Sequence, residues 1–339
     1  MRYLESIRKA LEDILYNCNN AILLGEDIVD PYGGAFKVTK GLSSNFPGQV
    51  FSTPISEAAI VGLGCGLGLR KMKVIVEIMF GDFLSLAFDQ ILNHISKYPL
   101  MYGNNIDMNI VIRAPMGGGR GYGPTHSQNL EKYFLGIPGL QLIAPSILHD
   151  PGLSLKAACN YNGPVIFIEG KKLYPQKIIK KIQNNHNDWT YYQKIENKTY
   201  LGNVINIKNT INEKNPDVSI ISFGSTFSII EEAADILLME DEITIDLFMI
   251  ENLSSINYEV FEKSITGSGK VLLIEEGTIS FGVMAELAAK ISNKFFDSLL
   301  MPVSRIGADD WILPSAKQLE DRVLPGTQDI VNNIRKMVL

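Results

Sequence analysis

The chain has only three cysteines among its 339 residues, and this scarcity excludes several kinds of site. They are Cys18, Cys65 and Cys159, and no two of them stand in a CxxC arrangement. Such wide separation favours neither a disulfide framework nor a cysteine-based zinc site. We therefore expect all three to be small buried side chains in a protein of a reducing compartment.

Long apolar runs and an excess of basic residues are also missing. No apolar stretch approaches the roughly 20 residues that cross a bilayer, and residues 1–7 carry an acid within their apolar pattern and no signal-peptide core. The 31 basic and 37 acidic side chains give a net charge of −6, which attracts neither nucleic acid nor an anionic membrane. We expect neither partner, and we expect the cytoplasm as the location.

The order of the predicted elements indicates an α/β protein with two domains. Residues 3–17 place apolar side chains at three- and four-residue intervals, as an amphipathic helix does, and short apolar strands then alternate with helices. The polar, basic and Asn-rich stretch 176–214 has no sustained period and is predicted to be a linker. We therefore predict a domain with a parallel sheet over 1–175 and a second α/β domain over 215–339.

The stretch 53–83 holds the strongest candidate for a functional group. Its acid Glu57 opens a predicted helix that is rich in small residues, namely Gly62, Gly64, Cys65, Gly66 and Gly68. Each glycine costs a helix about 1 kcal/mol relative to alanine, so we expect this helix to lie against another subunit. A carboxyl group beside an apolar face is suited to proton transfer. An acid in the first turn of a helix is also stabilised by the helix dipole alone.

An acid and a histidine stand where strands are predicted to end. Glu26 follows the apolar stretch 21–24, and open parallel sheets bind ligands at the C-terminal ends of their strands. His126 follows a predicted strand over 109–113 and a glycine-rich loop over 115–124, which we expect to be flexible. A structural acid explains Glu26 equally well, and an isolated loop histidine often has only a local hydrogen bond.

Several short motifs occur in a fixed order along the chain. They are LLGED at 23–27, GGAFKVTKGL at 33–42, TPISE at 53–57, EIMFGDF at 77–83, GPTHSQ at 123–128, PGL at 138–140, MPVSRI at 301–306 and LE at 319–320. In this order they resemble the beta subunit of the thiamine-diphosphate-dependent decarboxylating component of 2-oxo acid dehydrogenase complexes. The resemblance implies an N-terminal pyrimidine-binding domain and a C-terminal domain like that of transketolase. It also implies oxidative decarboxylation of a 2-oxo acid followed by acyl transfer.

The same resemblance implies roles for individual residues. In that family, the glutamate matching Glu57 hydrogen-bonds N1′ of the cofactor's aminopyrimidine, and the aromatic residue matching Phe83 stacks on this ring. The histidine matching His126 faces the substrate and the reacting carbon. Glu26 and Met79 are implied to lie on the cofactor side as well. Without the family, Phe83 would be interpreted as a core residue.

One motif of a complete thiamine-diphosphate enzyme is missing. The family holds the diphosphate and its Mg²⁺ through an acidic Gly-Asp-Gly motif followed later by asparagine, whereas the nearest string here is Gly81-Asp82-Phe83. A hard divalent ion needs positioned carboxylate and amide oxygens. The resemblance therefore implies an alpha subunit that holds Mg²⁺, a cofactor shared between the subunits and an alpha2beta2 heterotetramer. A lipoyl acyltransferase core is a further partner that the family suggests.

The family often carries K⁺, bound mainly by backbone carbonyls. The positions that match its ligands are Ile110, Ala158, Cys159 and Tyr161. Tyr161 and Gly163 stand where the common pattern has aspartate and asparagine, so one side-chain ligand is missing. A K⁺ site here would therefore depend on carbonyl oxygens.

Two departures from the family pattern concern the substrate. Arg120 stands in the loop before His126, where it could bind a carboxylate or phosphate or remain an exposed loop residue. Asp309, Asp310 and Trp311 replace a more apolar run. These changes would suit a 2-oxo acid that is larger or more acidic than pyruvate.

Two alternative functions stay open from the sequence. A split transketolase-like enzyme, which moves a ketol unit between sugars, would share the pyrimidine glutamate and the order of the two domains. A non-catalytic homologue would keep the fold without the cofactor chemistry. Glu57, Phe83 and His126 occurring together favour the catalytic subunit over such a homologue.

Overall fold

A computed structural model describes residues 1–102, 106–180, 191–196, 201–209 and 215–338. The strands are β1 Ala21–Gly25, β2 Val50–Ser52, β3 Lys73–Glu77, β4 Ile110–Met116, β5 Gln141–Ile143, β6 Pro164–Gly170, β7 Tyr191–Glu196, β8 Asn203–Lys208, β9 Val218–Phe223, β10 Ile245–Ile250, β11 Val271–Thr278 and β12 Ser304–Ala308. The α-helices are α1 Tyr3–Asn17, α2 Leu42–Asn45, α3 Glu57–Leu69, α4 Tyr98–Met101, α5 Glu131–Phe134, α6 Pro151–Asn160, α7 Phe227–Asp241, α8 Glu262–Ser268, α9 Val283–Lys294, α10 Lys317–Val323 and α11 Thr327–Val338. Short 3-10 helices cover Gly81–Ala87, Gly224–Thr226, Tyr258–Phe261 and Phe296–Ser298, and a π-helix covers Gln90–Ile95.

The first six strands form one parallel sheet in the order β2-β1-β3-β4-β6-β5. β3, β4 and β6 are predominantly apolar and almost continuously buried, as expected for strands covered on both faces. α1 and α6 pack together over one face, and α3 packs against β3. The predicted parallel sheet of the first domain is therefore confirmed, and so is the amphipathic helix over 3–17.

The second sheet is mixed, with the order β12-β11-β9-β10-β8-β7. β12, β11, β9 and β10 are parallel, whereas β8 pairs antiparallel with both β10 and β7. β7 and β8 fall inside the range 176–214 that was predicted to be a linker. Their pairing shows that the second sheet begins before residue 215; the rest of that range includes 181–190, 197–200 and 210–214, which lie outside the described residues.

The two sheets are joined by backbone as well as side-chain contacts. Ile143 of β5 forms an isolated antiparallel bridge with Asn252, and the amides of Ala144 and Leu253 donate to Glu251 and Leu142 carbonyls across the same junction. One continuous apolar core includes residues of both domains. The loops that follow the strands are therefore held between two packed units. None of the described helices is long and apolar enough to cross a membrane.

Candidate active site

The C-terminal edge of the first sheet gathers segments that are far apart in the chain. β1 ends next to Glu26, β2 is followed by Thr53 and the start of α3, and β3 leads to Phe80. β4 leads into the glycine-rich loop, and β6 leads into Lys171. Because the strands are parallel, these five ends meet at one edge, the usual position of ligands in open α/β sheets.

Two carboxyl groups lie close together at this edge. Glu57 is the first residue of α3 and is 6% exposed, and Glu26 is 4% exposed. Burial raises the pKa of Glu26, and the neighbouring carboxylates of Glu57, Asp27 and Glu77 raise it further. Within the described part of the chain, Oε2 of Glu26 has no hydrogen-bond partner. Since an unpaired buried oxygen is costly, this pair is suited to a ligand that hydrogen-bonds to it.

A cluster of aromatic rings forms the second part of the site. The His126 imidazole lies edge-on to Phe80 and Phe83, with ring centroids 4.7 and 5.2 Å apart. Phe80 also contacts Tyr122 and Phe36, with centroids 6.1 and 5.6 Å apart. α3 packs against the 3-10 helix Gly81–Ala87, so the helix that opens with Glu57 adjoins this cluster. The structure thus brings together residues that were predicted from separate motifs.

Hydrogen bonds with Lys171 and Asp82 hold the GPTHSQ segment at the sheet edge. Lys171 donates a hydrogen bond from Nζ to the carbonyl oxygen of His126. Asp82 accepts hydrogen bonds at Oδ1 from the backbone N–H and Nε2 of Gln128, at 3.1 and 2.9 Å. Nδ1 of His126 lies 2.9 Å from Oγ1 of Thr125. These contacts fix the backbone that carries the imidazole while leaving the ring half-buried against the phenylalanines.

Lys171 was not predicted from the sequence. Its side chain is fully buried, and its ammonium lies 5.2 Å from the Phe80 ring centroid and 5.6 Å from that of Tyr122. Burial lowers the pKa of Lys171 to about 8, although the carboxylates of Asp82 and Glu276 oppose this shift. Its position directly after β6, a buried strand whose only charged residue is Glu169, is the signal that could have indicated a buried cation.

A buried ion-pair network under the site was also missed. Arg113 donates from Nη1 to Glu77, at 2.6 Å, and from Nε and Nη2 to the two oxygens of Glu169, at 2.7 and 3.0 Å. Tyr174 donates its hydroxyl to Glu169, at 2.7 Å. Burial raises the pKa of Glu77, although Arg113 opposes the shift. The network ties together β3, β4 and β6 near their C-terminal ends.

The glycine-rich loop is held in place, which corrects the expectation that it is flexible. Its first two predicted residues belong to β4, and its backbone N–H groups donate to two carboxylates of the second domain, Glu276 and Glu320. Arg120 lies within this loop, with its guanidinium carbon 5.7 Å from the Phe36 ring centroid and Nη1 3.4 Å from the Tyr122 hydroxyl. Arg120 therefore reaches the same aromatic cluster as His126.

The remaining predicted residues divide between the two ends of the sheet. Met79 is half-buried directly before Phe80, at the C-terminal edge. Ile110 begins β4 and pairs with Pro164, so it lies at the opposite edge, together with the end of α6. Strand geometry places the seven residues of β4 over roughly 20 Å. The positions predicted for K⁺ are therefore remote from the carboxyl pair and the rings.

Two of the carbonyls near the predicted K⁺ positions accept hydrogen bonds. The Ala158 carbonyl accepts the Tyr161 N–H at 3.2 Å, and the Tyr161 carbonyl accepts Nδ2 of Asn109 at 2.7 Å. Cys159 is buried, which raises the pKa of its thiol to about 12. In the described ranges, His, Cys, Asp and Glu side chains form no group of three or more suited to a metal ion.

The glycines of α3 face two different surroundings. A Cβ at Gly64 would lie 2.8 Å from the Val76 side chain, and one at Gly68 would lie 3.1 Å from Met108. These two glycines let the helix approach the sheet. Among the described residues, a Cβ at Gly66 would meet nothing within 4 Å, and one at Gly62 would only touch Gln90 at 3.9 Å. Packing within the described part of the chain therefore does not explain these two outward-facing glycines.

The site has the features that a thiamine-type aminopyrimidine ring requires. Such a ring needs hydrogen-bonding groups at its edge and an apolar surface against its face. The Glu57 and Glu26 carboxyl groups provide the former, and Oε2 of Glu26 has no partner among the described residues. The half-buried ring of Phe83 and its neighbour Phe80 provide the latter. Residues present at this edge thus fit the pyrimidine half of the cofactor.

Comparison with known families agrees with this geometry. Residues 1–177 match the transketolase pyrimidine-binding domain, and residues 208–330 match the transketolase C-terminal domain. A solved structure named split gene transketolase, inactive beta4 tetramer, shares the fold with a TM-score of 0.74 at 21% identity, covering 100% of this chain and 98% of that one. The fold and the site together define an α/β protein of the transketolase type.

Curated relatives place the chain within this class. The pyruvate dehydrogenase E1 component subunit beta of Dictyostelium discoideum is 30% identical over 334 residues, covering 98% of this chain and 90% of that protein. The corresponding subunit of Gracilaria tenuistipitata var. liui is 31% identical, covering 98% of both chains. The 3-methyl-2-oxobutanoate dehydrogenase subunit beta of Mycobacterium tuberculosis is 28% identical, covering 98% and 91%. The chain belongs to the family of 2-oxo acid dehydrogenase beta subunits.

Proposed function

We propose that this chain supplies the pyrimidine-side half of a thiamine-diphosphate site, completed by an alpha subunit, for the oxidative decarboxylation of a 2-oxo acid. The observation that carries the proposal is the meeting of the Glu57–Glu26 carboxyl pair with the Phe83–His126 ring cluster at one sheet edge. Family membership alone would not require this arrangement to be intact. Its retention argues against a homologue that has kept only the fold.

The residues of this chain take distinct parts in that function. Thiamine diphosphate, when bound, supplies the electron sink for loss of carbon dioxide from the substrate. Glu57 would hydrogen-bond a ring nitrogen of the pyrimidine and exchange a proton there, and Phe83 would support the face of that ring. His126, fixed by Lys171 through its carbonyl, presents an imidazole that can donate or accept a proton at the substrate. Arg120 offers a planar cation for the substrate carboxylate.

The alpha subunit is proposed to hold the diphosphate and its Mg²⁺. The chain has no Gly-Asp-Gly motif for these groups. The outer face of α3 is a suitable contact surface. The described residues leave space beside Gly62 and Gly66, and the apolar side chain of Leu63 is 52% exposed. Apolar helices that are not enclosed by their own domain are typically covered by another chain. An alpha2beta2 assembly with two shared sites would cover this face.

Three finer proposals accompany the main one. A lipoyl acyltransferase core is the proposed acceptor of the acyl unit, and the cytoplasm is the proposed location. K⁺, if bound, would use backbone carbonyls near Ile110 and Tyr161 and would act on the stability of the domain, because these residues lie at the edge opposite the site. Thermal unfolding in KCl against matched NaCl would test this last point.

Calorimetric titration with thiamine diphosphate and Mg²⁺ tests the proposed function directly. The full chain is titrated alone and after co-expression with an alpha subunit of the same organism. Saturable binding by the pair only, followed by decarboxylation of a 2-oxo acid, is the expected result. Binding by the lone chain would contradict the shared site. Absence of binding in both samples would favour a non-catalytic homologue, and ketol transfer between sugar phosphates would favour the split transketolase.

A further inference from the structure

The backbone on either side of Arg120 is held by a single side chain of the second domain. Glu320, in α10, accepts the Gly119 N–H at Oε1 (2.8 Å) and the Gly121 N–H at Oε2 (2.9 Å). The Glu320 side chain is fully buried. Taking a carboxylate out of water is unfavourable unless its oxygens are hydrogen-bonded. The two amides that flank Arg120 provide those hydrogen bonds.

The rest of the loop fits closely around this contact. Gly117, Gly119, Gly121 and Gly123 all have φ between +69° and +98°, a region that side chains rarely adopt. The Gly118 N–H donates to Oε1 of Glu276, at 2.7 Å, so a second carboxylate holds the preceding amide. Carboxylates of the C-terminal domain thus hold three backbone N–H groups around Arg120. The direction of the Arg120 side chain is therefore determined by that domain.

That direction leads to the candidate active site. The Arg120 guanidinium lies against Phe36 and next to the Tyr122 hydroxyl, and both rings contact Phe80, which in turn contacts His126. Two rings, Phe80 and either Phe36 or Tyr122, therefore separate the guanidinium from the imidazole. A guanidinium binds a carboxylate well only when its planar donors are correctly oriented.

We propose that Glu320 is a positioning residue that orients Arg120 for the carboxylate of the 2-oxo acid. This inference depends on the proposed function for its substrate, but the contact between Glu320 and the loop does not. It assigns the C-terminal domain a part in substrate selection, because a helix of that domain fixes the backbone of a loop that follows β4 of the first domain.

Native-state proteolysis of the full chain tests the contact without any catalysis. Trypsin can cleave after Arg120 only when the loop opens locally. Loss of a charge-assisted hydrogen bond corresponds to about a tenfold change in such an equilibrium. Glu320→Gln should therefore increase the initial rate of cleavage at Arg120 by about tenfold. Mass spectrometry of the fragments measures this rate. The control Asp321→Asn removes the same charge from an exposed residue of the same helix. Equal cleavage rates in the two variants would overturn the proposal.

Hydrogen exchange of the unmodified chain covers the case in which Glu320→Gln does not fold. The amides of Gly119 and Gly121 should exchange slowly, and so should those of β4, the strand before the loop. Exchange of both at the rate of an unprotected peptide would overturn the proposal.

Steady-state kinetics of the complex with the alpha subunit test the link to Arg120. Glu320→Gln should raise KM for the 2-oxo acid by about tenfold with little change in kcat. In an Arg120→Leu background the same change should raise KM no further, since the two residues act as one unit. An additive effect, or an unchanged KM, would overturn the positioning role. If the complex decarboxylates no 2-oxo acid, the proposed function fails while the proteolysis result still stands.

Discussion

Lys171 donates a hydrogen bond from its buried ammonium to the backbone carbonyl of His126. The contact joins the residue after β6 to the loop after β4, and it places a cation beneath the aromatic cluster. No motif in the sequence marks this lysine, yet it holds the backbone of the residue proposed to face the substrate.

The lowered pKa of Lys171 predicts a dependence of stability on pH. Below about pH 8 the lysine is charged in both the folded and the unfolded chain, and the full cost of burying the charge is present. Between about 8 and its ordinary value of 10.5, the folded chain releases the proton while the unfolded chain keeps it, so folding becomes more favourable. The free energy of unfolding of the natural chain relative to Lys171→Met should therefore rise by about 1–3 kcal/mol across this range. Urea unfolding of both proteins at about pH 7 and about pH 10 measures it; a pH-independent difference would contradict the prediction.

Glu57→Gln should separate folding from catalysis. Glutamine keeps the shape and can still hydrogen-bond, but it cannot exchange a proton with the pyrimidine. The rate of decarboxylation by the complex with the alpha subunit should fall by about 100-fold or more, the usual contribution of acid–base catalysis. Glu12→Gln, on the half-exposed surface of α1, is the matched control and should retain activity. Thermal unfolding checks that both variants fold, and normal turnover by Glu57→Gln would refute the role.

Two alanine substitutions in α3 should have opposite effects on stability. Gly64→Ala places a Cβ 2.8 Å from Val76 and 3.3 Å from Ile110, so the helix must move away from the sheet at a cost of about 1–3 kcal/mol. Gly66→Ala places a Cβ in open space and should stabilise the isolated chain by about 0.5–1 kcal/mol, because alanine favours the helix. Urea unfolding of each variant distinguishes them. Similar destabilisation by both would show that the outer face is already covered within the chain.

The outer face can then be tested as a subunit contact. Gly66→Leu should leave the chain folded but weaken its association with the alpha subunit, since a large side chain would hold the two backbones apart. Co-purification and analytical ultracentrifugation report the association. Unchanged assembly would exclude this part of the helix from the interface.

Arg113 should be among the most sensitive positions for folding. Replacing it by methionine leaves the buried carboxylates of Glu77 and Glu169 without their common partner. Loss of one member of a buried ion pair typically costs about 3–5 kcal/mol. Lys9→Met, which removes two surface ion pairs from α1, should cost less than about 1 kcal/mol. Chemical denaturation compares the two, and a similarly small loss at Arg113 would show that the network is not required for stability.

Local patterns were sufficient where a segment has one strong period. The three- and four-residue spacing of α1 and the apolar runs of β1, β3 and β4 predicted those elements, because the period alone identifies the buried face. β7 and β8 were interpreted as part of a linker. Their sequences mix polar and apolar residues, and it is antiparallel pairing at the edge of the second sheet that makes them strands.

The sequence by itself determined the two α/β domains, the parallel first sheet and the motifs that contain Glu57, Phe83 and His126. Only the tertiary structure decided what surrounds them. Lys171 and Glu320 are ordinary charged residues in the sequence, and their burial results from parallel strand ends converging and from a helix of the second domain closing over the loop. Contacts between residues far apart in the chain depend on tertiary packing, and local residue patterns do not specify these contacts.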